Sequence, residues 1–183
     1  MSYPPDHQDR WRQRIRPIDP TTRLPLKRLL PLVLVEAVGM ALIFGMYHLL
    51  DMGRTPLAPL IVPPLVSFAL VFATARAPAS RPLRVIAAYV IAGFFGLGMA
   101  CLSGPRLGYA IVAAIFTLLV MHATGAFHAP AVAVSMAAVL TEGDWRDALA
   151  AYPLLLATAT AAVLLAWLAH KILGDDTYPT QWW

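Results

Sequence analysis

The sequence predicts an all-α fold, a polytopic transmembrane helical bundle of five or six membrane segments, two of them interrupted by proline. Three observations carry this. Of the 183 residues, 59% are hydrophobic and only 13% charged, against about 25% charged in an average soluble domain. The apolar residues fall in runs of about 20, the length that crosses the hydrocarbon core of a bilayer. Seven of the fourteen Lys and Arg residues stand before Leu29: Arg10, Arg12, Arg14, Arg16, Arg23, Lys27 and Arg28. A basic cluster abutting an apolar span is explained by anionic headgroups and by orientation, so the lipid bilayer is the expected partner and nucleic acid is not. The single Cys101 supports neither a disulfide framework nor a metal cluster and is expected to pack as a small residue.

Residues 1–28 form a polar tail broken by Pro4, Pro5, Pro17, Pro20 and Pro25, read as flexible and cytoplasmic. The transmembrane domain covers 29–173. Leu29–Leu50 is its first span and carries Glu36, the acidic residue that lies well inside an apolar segment. Pro56–Ala75 is the second, with Pro59, Pro63 and Pro64 in its first half; each removes a backbone donor, so regular helix is expected from about Leu65. Arg76–Arg84 is a charged connector, and Leu83–Leu102 is the third span. Leu107–Thr124 is the fourth. It opens an apolar run of about 35 residues to Thr141, too long for one crossing, and Gly125 and Pro130 mark where it breaks. A short apolar stretch, Ala131–Thr141, follows, then a polar connector and the last span, Ala148–Leu173. Residues 174–183 form a tail ending in Trp182 and Trp183, which suit a membrane interface.

The two halves share a pattern of span, Pro-interrupted segment, charged connector and span. Eleven residues separate Pro64 from Arg76, and eleven separate Pro130 from Glu142. Three segments per half would make an inverted 3+3 repeat, and matching interrupted segments point to a transporter binding site. The Lys and Arg counts place the N-terminal tail and the Arg76 connector on the cytoplasmic side. If the stretch after Pro130 crosses, there are six spans and an inside C-terminus. If it re-enters, there are five and the C-terminus is outside; five full spans plus a short broken element is the preferred count.

The polar groups at the break are the first candidates for function. His122 and His128 flank it, and irregular backbone at membrane depth needs partners. One reading makes His128 a structural tie. The other makes it a ligand donor, with helix N-termini after Pro64 and Pro130 aiming their positive dipole ends at one spot, where a small anion would meet free amides and imidazole. Glu36 and His122 are proton-coupling candidates, since a charge in hydrocarbon is costly, about 2.5–3.5 kcal/mol on insertion scales. Arg81 and Arg84 are expected to set topology and to attract anions. His48 and His170, near span ends, read as interfacial anchors. Enzyme signatures are missing: the chain has no nucleophile elbow, phosphate loop or close metal-binding pair, so neither a catalytic residue, a cofactor nor a metal is expected.

Phe127-His128-Ala129-Pro130-Ala131, preceded by Thr124, resembles the signature of the HPP family of integral membrane proteins, a His-Pro-Pro followed by alanine and small residues. The stretch Pro64-Leu65-Val66-Ser67 through Arg81-Pro82-Leu83-Arg84-Val85 is similar to its other landmark, and the likeness covers roughly residues 56–170. Ala129 stands for the middle proline. Arg81-Pro82 and Arg84 stand where Gln-Pro and Asn are frequent, Tyr89 where His is common, and Val66 and Val132 where glycines are expected. Since members in plastids and cyanobacteria are associated with nitrite transport, the resemblance implies a transporter or channel-like permease for a small anion. It assigns the substrate region to His128, Pro130, Ala129, Thr124, Ser67 and Pro64. A bacterial inner membrane is the expected location, and a homo-oligomer would thicken the wall of so thin a bundle. The rival expectation is a membrane scaffold in which histidine and prolines only shape the fold.

Overall fold

The computed structural model describes residues 26–49, 60, 62–74, 77–103, 107–141, 145–173, 178–179 and 181–183. The chain divides into two compact units, Met1–Val33 and Leu34–Trp183. Of the first, the described part is the start of one helix; the expected tail character of residues 1–25 lies outside the described residues. The packing below is that of the second unit.

The elements are α1 (Leu26–Leu49), α2 (Val62–Ala73), a 3-10 turn (Pro78–Ser80), α3 (Pro82–Ser103), α4 (Leu107–Thr124), α5 (Ala129–Leu140) and α6 (Trp145–Ile172), all helical as expected. α2 begins three residues earlier than the expected start at Leu65 and contains Pro63 and Pro64. Both prolines sit in the first turn, where amides have no intrahelical acceptor in any case, so their missing N–H groups cost nothing. Among the described residues, three stretches are long and apolar enough to cross a membrane: Pro82–Leu102, Leu107–Thr124 and Tyr152–Ile172. α2 and α5 have 12 residues each, roughly 18 Å at 1.5 Å per residue.

Chain direction follows from a few contacts. α2 runs into the connector that precedes α3. His128, just before α5, is hydrogen-bonded to the Ala79 carbonyl of that connector, so α4 descends to the connector end and α5 leaves from it. α6 returns: the segment beyond it reaches Leu83 and Arg81. α2 and α5 therefore run in opposite directions, as do α3 and α6, which is the order an inverted 3+3 arrangement requires. The described segment 178–183 lies at the same end as the connector, which fits the six-segment alternative rather than the preferred five.

The break after α4 falls where Gly125 and Pro130 mark it in the sequence: α4 covers the expected Leu107–Thr124, 18 residues or roughly 27 Å of helix, before the chain turns. Gly125 closes α4 with φ of 69°, a left-handed conformation, while the Ala126 amide reaches back to the Met121 carbonyl at 2.9 Å. This is the glycine-terminated helix end in which a residue without Cβ avoids strain.

The core is built from small side chains. Ala88, Ala92, Ala131, Ala159, Ala162 and Ala166 are fully buried around Phe68, Tyr89 and Met121. Small residues let helices approach closely where lipid offers no hydrophobic contrast. α3 packs most extensively on α5, α5 also on α4, and α6 on α2 and α3. Large apolar side chains such as Phe94, Leu102, Leu119 and Leu164 face outwards, as a lipid-facing surface requires. Cys101 belongs to that surface rather than to the packing expected for it. His170 is buried between the rings of Phe72 and Tyr178 and is no interfacial anchor.

Gly96 faces backbone at close range: an added Cβ would lie 2.8 Å from the Ser135 Cα and 2.9 Å from its carbonyl oxygen. Backbone cannot swing aside as a side chain can. Gly96→Ala is expected to destabilise the bundle by about 1–3 kcal/mol. Gly98→Ala, facing open space, is expected to be neutral or mildly stabilising. Thermal unfolding of the two variants in detergent checks the contrast.

Candidate functional site

His128 stands immediately before α5 in extended conformation, φ −146° and ψ 102°, the place where a side chain ordinarily caps the helix. An imidazole there is free to reach elsewhere, because Pro130 has removed one amide and the His128 carbonyl accepts the Ala131 N–H at 3.1 Å. The ring is fully buried. Nδ1 lies 2.9 Å from the Ala79 carbonyl oxygen and Nε2 lies 2.8 Å from Ser67 Oγ. Ser67 Oγ in turn lies 2.7 Å from the Tyr89 hydroxyl. Ser67 and Tyr89 are also fully buried.

The donor inventory assigns every proton in this chain. A carbonyl only accepts, so Nδ1 carries the hydrogen and donates to Ala79. Nε2 of a neutral ring then accepts from Ser67, and Ser67 accepts from Tyr89. The sequence of donors is Tyr89 to Ser67 to His128 to Ala79. A protonated ring would donate at both nitrogens and turn Ser67 round, leaving the Tyr89 hydroxyl to find another acceptor. The loop that carries His128 lies outside the helices long enough to cross a membrane, and burial lowers its pKa to about 4, opposed by the bond to Ala79.

Three elements converge to make this site. Ser67 lies near the middle of α2, Tyr89 about two turns into α3, and Ala79 in the connector between them. That connector is itself tied: Thr74 Oγ1 donates to the Leu70 carbonyl at 2.6 Å, so at 2.8 Å it accepts from Ser80 Oγ. The arrangement resembles a nucleophile and base with an orienting acceptor, a hydroxyl on imidazole with the far nitrogen held. The sequence gives no hint of such a pair, since Ser67 and His128 are separated by 61 positions. As it stands the hydroxyl is not poised to attack. Ser67 already accepts from Tyr89, and all three side chains are closed off from the surface.

The other expected site residues fall into two groups. Pro64 and Pro130 are buried, Ala129 exposed, each beginning or flanking a short helix. Thr124 is exposed and bonds back to the Val120 carbonyl at 2.8 Å, ending its own helix rather than joining His128. His122 is exposed, bonds to the Leu118 carbonyl at 2.8 Å and lies tilted against Phe127, with ring centres 4.8 Å apart. Glu36 is half-buried on α1; none of the contacts described for His128, Ser67 or Tyr89 involves it. The helix dipoles of α2 and α5 do not converge. Their axes are opposed, and Ser67 meets His128 from about a turn and a half inside α2, so only the α5 end is near.

Arg81 and Arg84 are engaged by the chain itself. Arg81 Nη1 donates to the Trp183 carbonyl at 2.7 Å, and the Arg84 guanidinium sits 5.9 Å from the centre of the Trp183 ring. The Leu83 amide, in the first turn of α3, donates to the Trp182 carbonyl at 2.9 Å. Tyr89, Ala79 and the two tryptophans are the participants that residue-by-residue reading misses. Of these only Tyr89 left a mark in the sequence, as a departure from a position where His is common.

The family profile described as HPP, transmembrane region, matches residues 21–179. No curated protein and no solved structure matches the chain.

Two outcomes are expected. Ser67→Ala removes the central link and leaves both His128 Nε2 and the Tyr89 hydroxyl unpaired. Its cost, about 2–4 kcal/mol, should exceed that of Tyr89→Phe, about 1 kcal/mol, which keeps the Ser67–His128 bond. Chemical denaturation in detergent ranks them. The second concerns pH. With a folded value of about 4 and an unfolded one near 6.5, the unfolded chain binds the extra proton. The stabilisation by neutral His128 is complete above pH 6.5 and lost as pH falls towards 4, by about 3 kcal/mol in all. The difference in stability between the parent and His128→Gln should shrink over that window.

Proposed function

The chain belongs to the HPP transmembrane family, and from that premise we propose that it is a permease for a small anion, nitrite being the candidate substrate. One observation supports this reading most: the buried Nδ1–H of His128 is held by a carbonyl of an irregular connector rather than by its own helix. A donor whose partner belongs to a separate, short segment can exchange that partner. When the connector withdraws, Nδ1–H becomes a donor to an anion beside the N-terminal end of α5, where partial positive charge favours it. Ser67 and Tyr89 donate towards the far side of the ring and hold it neutral, so that Nδ1–H stays the donor offered to the anion. Glu36 and His122 remain proton-coupling candidates outside this group. Arg81 and Arg84 raise anion concentration at the mouth. By its Lys and Arg count the connector is proposed to face the cytoplasm of a bacterial inner membrane, and pairing into a homo-oligomer would thicken the bundle.

The same bonds favour a second reading. Both ring nitrogens of His128 are fully occupied, as in a tie that only holds the bundle together. Reconstitution into liposomes separates the two. The permease reading expects nitrite uptake that His128→Ala reduces at least tenfold at matched protein incorporation. Absence of uptake by the parent protein, or an unchanged rate in His128→Ala, sinks it. The scaffold reading expects loss of thermal stability in His128→Ala with no anion flux in either protein.

A further inference from the structure

The segment Tyr178–Trp183 makes contacts of two kinds at the connector end of the bundle. At one end Tyr178 is driven in: it is 2% exposed and its ring lies 5.4 Å from that of His170, which rests on Phe72 of α2 at 5.2 Å. At the other, Trp182 and Trp183 are 59% and 49% exposed. They hold on through the Trp182 carbonyl on the Leu83 amide, the Trp183 carbonyl on Arg81, and the Trp183 ring beside the Arg84 guanidinium. The segment is thus buried at one end and superficially latched at the other. All three contacts fall on Arg81–Arg84, at and just before the start of α3 and directly after Ala79 and Ser80. Arg81 is two residues from the carbonyl that holds His128.

The geometry points to a latch: the Trp182–Trp183 end pins the connector over the Ser67–His128–Tyr89 group, and its release opens that group to the aqueous phase. The Arg81 Nε and Arg84 Nε hydrogens are buried without an acceptor among the described residues. The latch therefore satisfies these arginines incompletely, and an acceptor-rich competitor has something to gain by displacing it. In the latched state the Leu83 amide and Arg81 spend their donors on chain carbonyls, and Ala79 is held where its carbonyl occupies the His128 Nδ1–H. Undoing the latch frees donors at the mouth and slackens the restraint on Ala79 in one movement. As regulation this rests on the permease reading; as a statement about access to the buried group it stands without it.

The test measures access, so it succeeds or fails whether or not the protein carries an anion. Cys101, the single cysteine, is first replaced by serine in the full chain. Ser67→Cys then places a thiol in the buried group, and its rate of modification by a charged, membrane-impermeant maleimide is followed in proteoliposomes. The expected result is an increase of at least fivefold when Trp183→Ala, or a stop after Pro179, is added. Thr158→Cys, in the middle of α6 and equally buried, reports general loosening and is expected to keep its slow rate in the same backgrounds. An increase below fivefold at position 67 overturns the latch. So does an equal acceleration at position 158, which would show that the whole bundle had loosened. Nitrite flux, measured in parallel on the latch substitutions made with Ser67 intact, is expected to rise. Flux absent from all variants, together with the fivefold gain in access, would defeat the permease reading and leave the latch in place.

Discussion

The fold turns on one buried imidazole. His128 sits where two loops approach each other at one end of the bundle, and it joins them: its Nδ1 to the connector before α3, its Nε2 to α2, and through Ser67 to α3. A buried polar group left unpaired is costly in an apolar surround, so each nitrogen constrains an element that the hydrophobic packing alone would leave free to slide. Alanine-lined helices pack closely but offer few shape features to set their register. The directional bonds of His128 supply that register. They fix how far α5 begins along α3, and with it the approach of Gly96 to the Ser135 backbone.

The two short helices acquire their meaning from the same place. α2 and α5 are each 12 residues long and oppositely directed, so neither reaches across about 30 Å of hydrocarbon by itself. Prolines at their first turns begin them without leaving amides to satisfy. Where they pass, they are joined by Ser67 and His128, not by facing dipoles. Symmetry of order is therefore present, but the chemistry is unsymmetric: histidine comes from one half, serine and tyrosine from the other. The donor chain from Tyr89 to Ala79 has a fixed sense only because a carbonyl terminates it.

Much of this was legible in the residues. The apolar runs predicted α3, α4 and α6 to within a few residues, since twenty apolar positions between charged connectors leave little choice of span. Gly125 and Pro130 located the turn, because a left-handed position and a missing amide both end helices. His128 stood out as a polar group in an apolar run, and Ser67 entered through the family likeness. What the residues left open was which way each side chain faces. Cys101 and His170 were misplaced for that reason. An apolar neighbourhood in sequence is equally compatible with a core face and a lipid face, and the hydrophobic period that separates them in water disappears in a membrane.

By itself, then, the sequence determined an all-helical membrane bundle of the HPP type, the places where its helices start and stop, and the histidine at its main interruption. Those follow from local chemistry: hydropathy over one span, donors lost to proline, charge confined to connectors. Only the tertiary structure decided the partners of that histidine, the neutral ring they impose, and the hold of Trp182 and Trp183 on Arg81, Leu83 and Arg84. Hydrogen bonds between residues 49, 61 and 102 positions apart depend on how the helices are threaded. No local pattern encodes that threading, because lipid-facing and core-facing side chains are chemically alike.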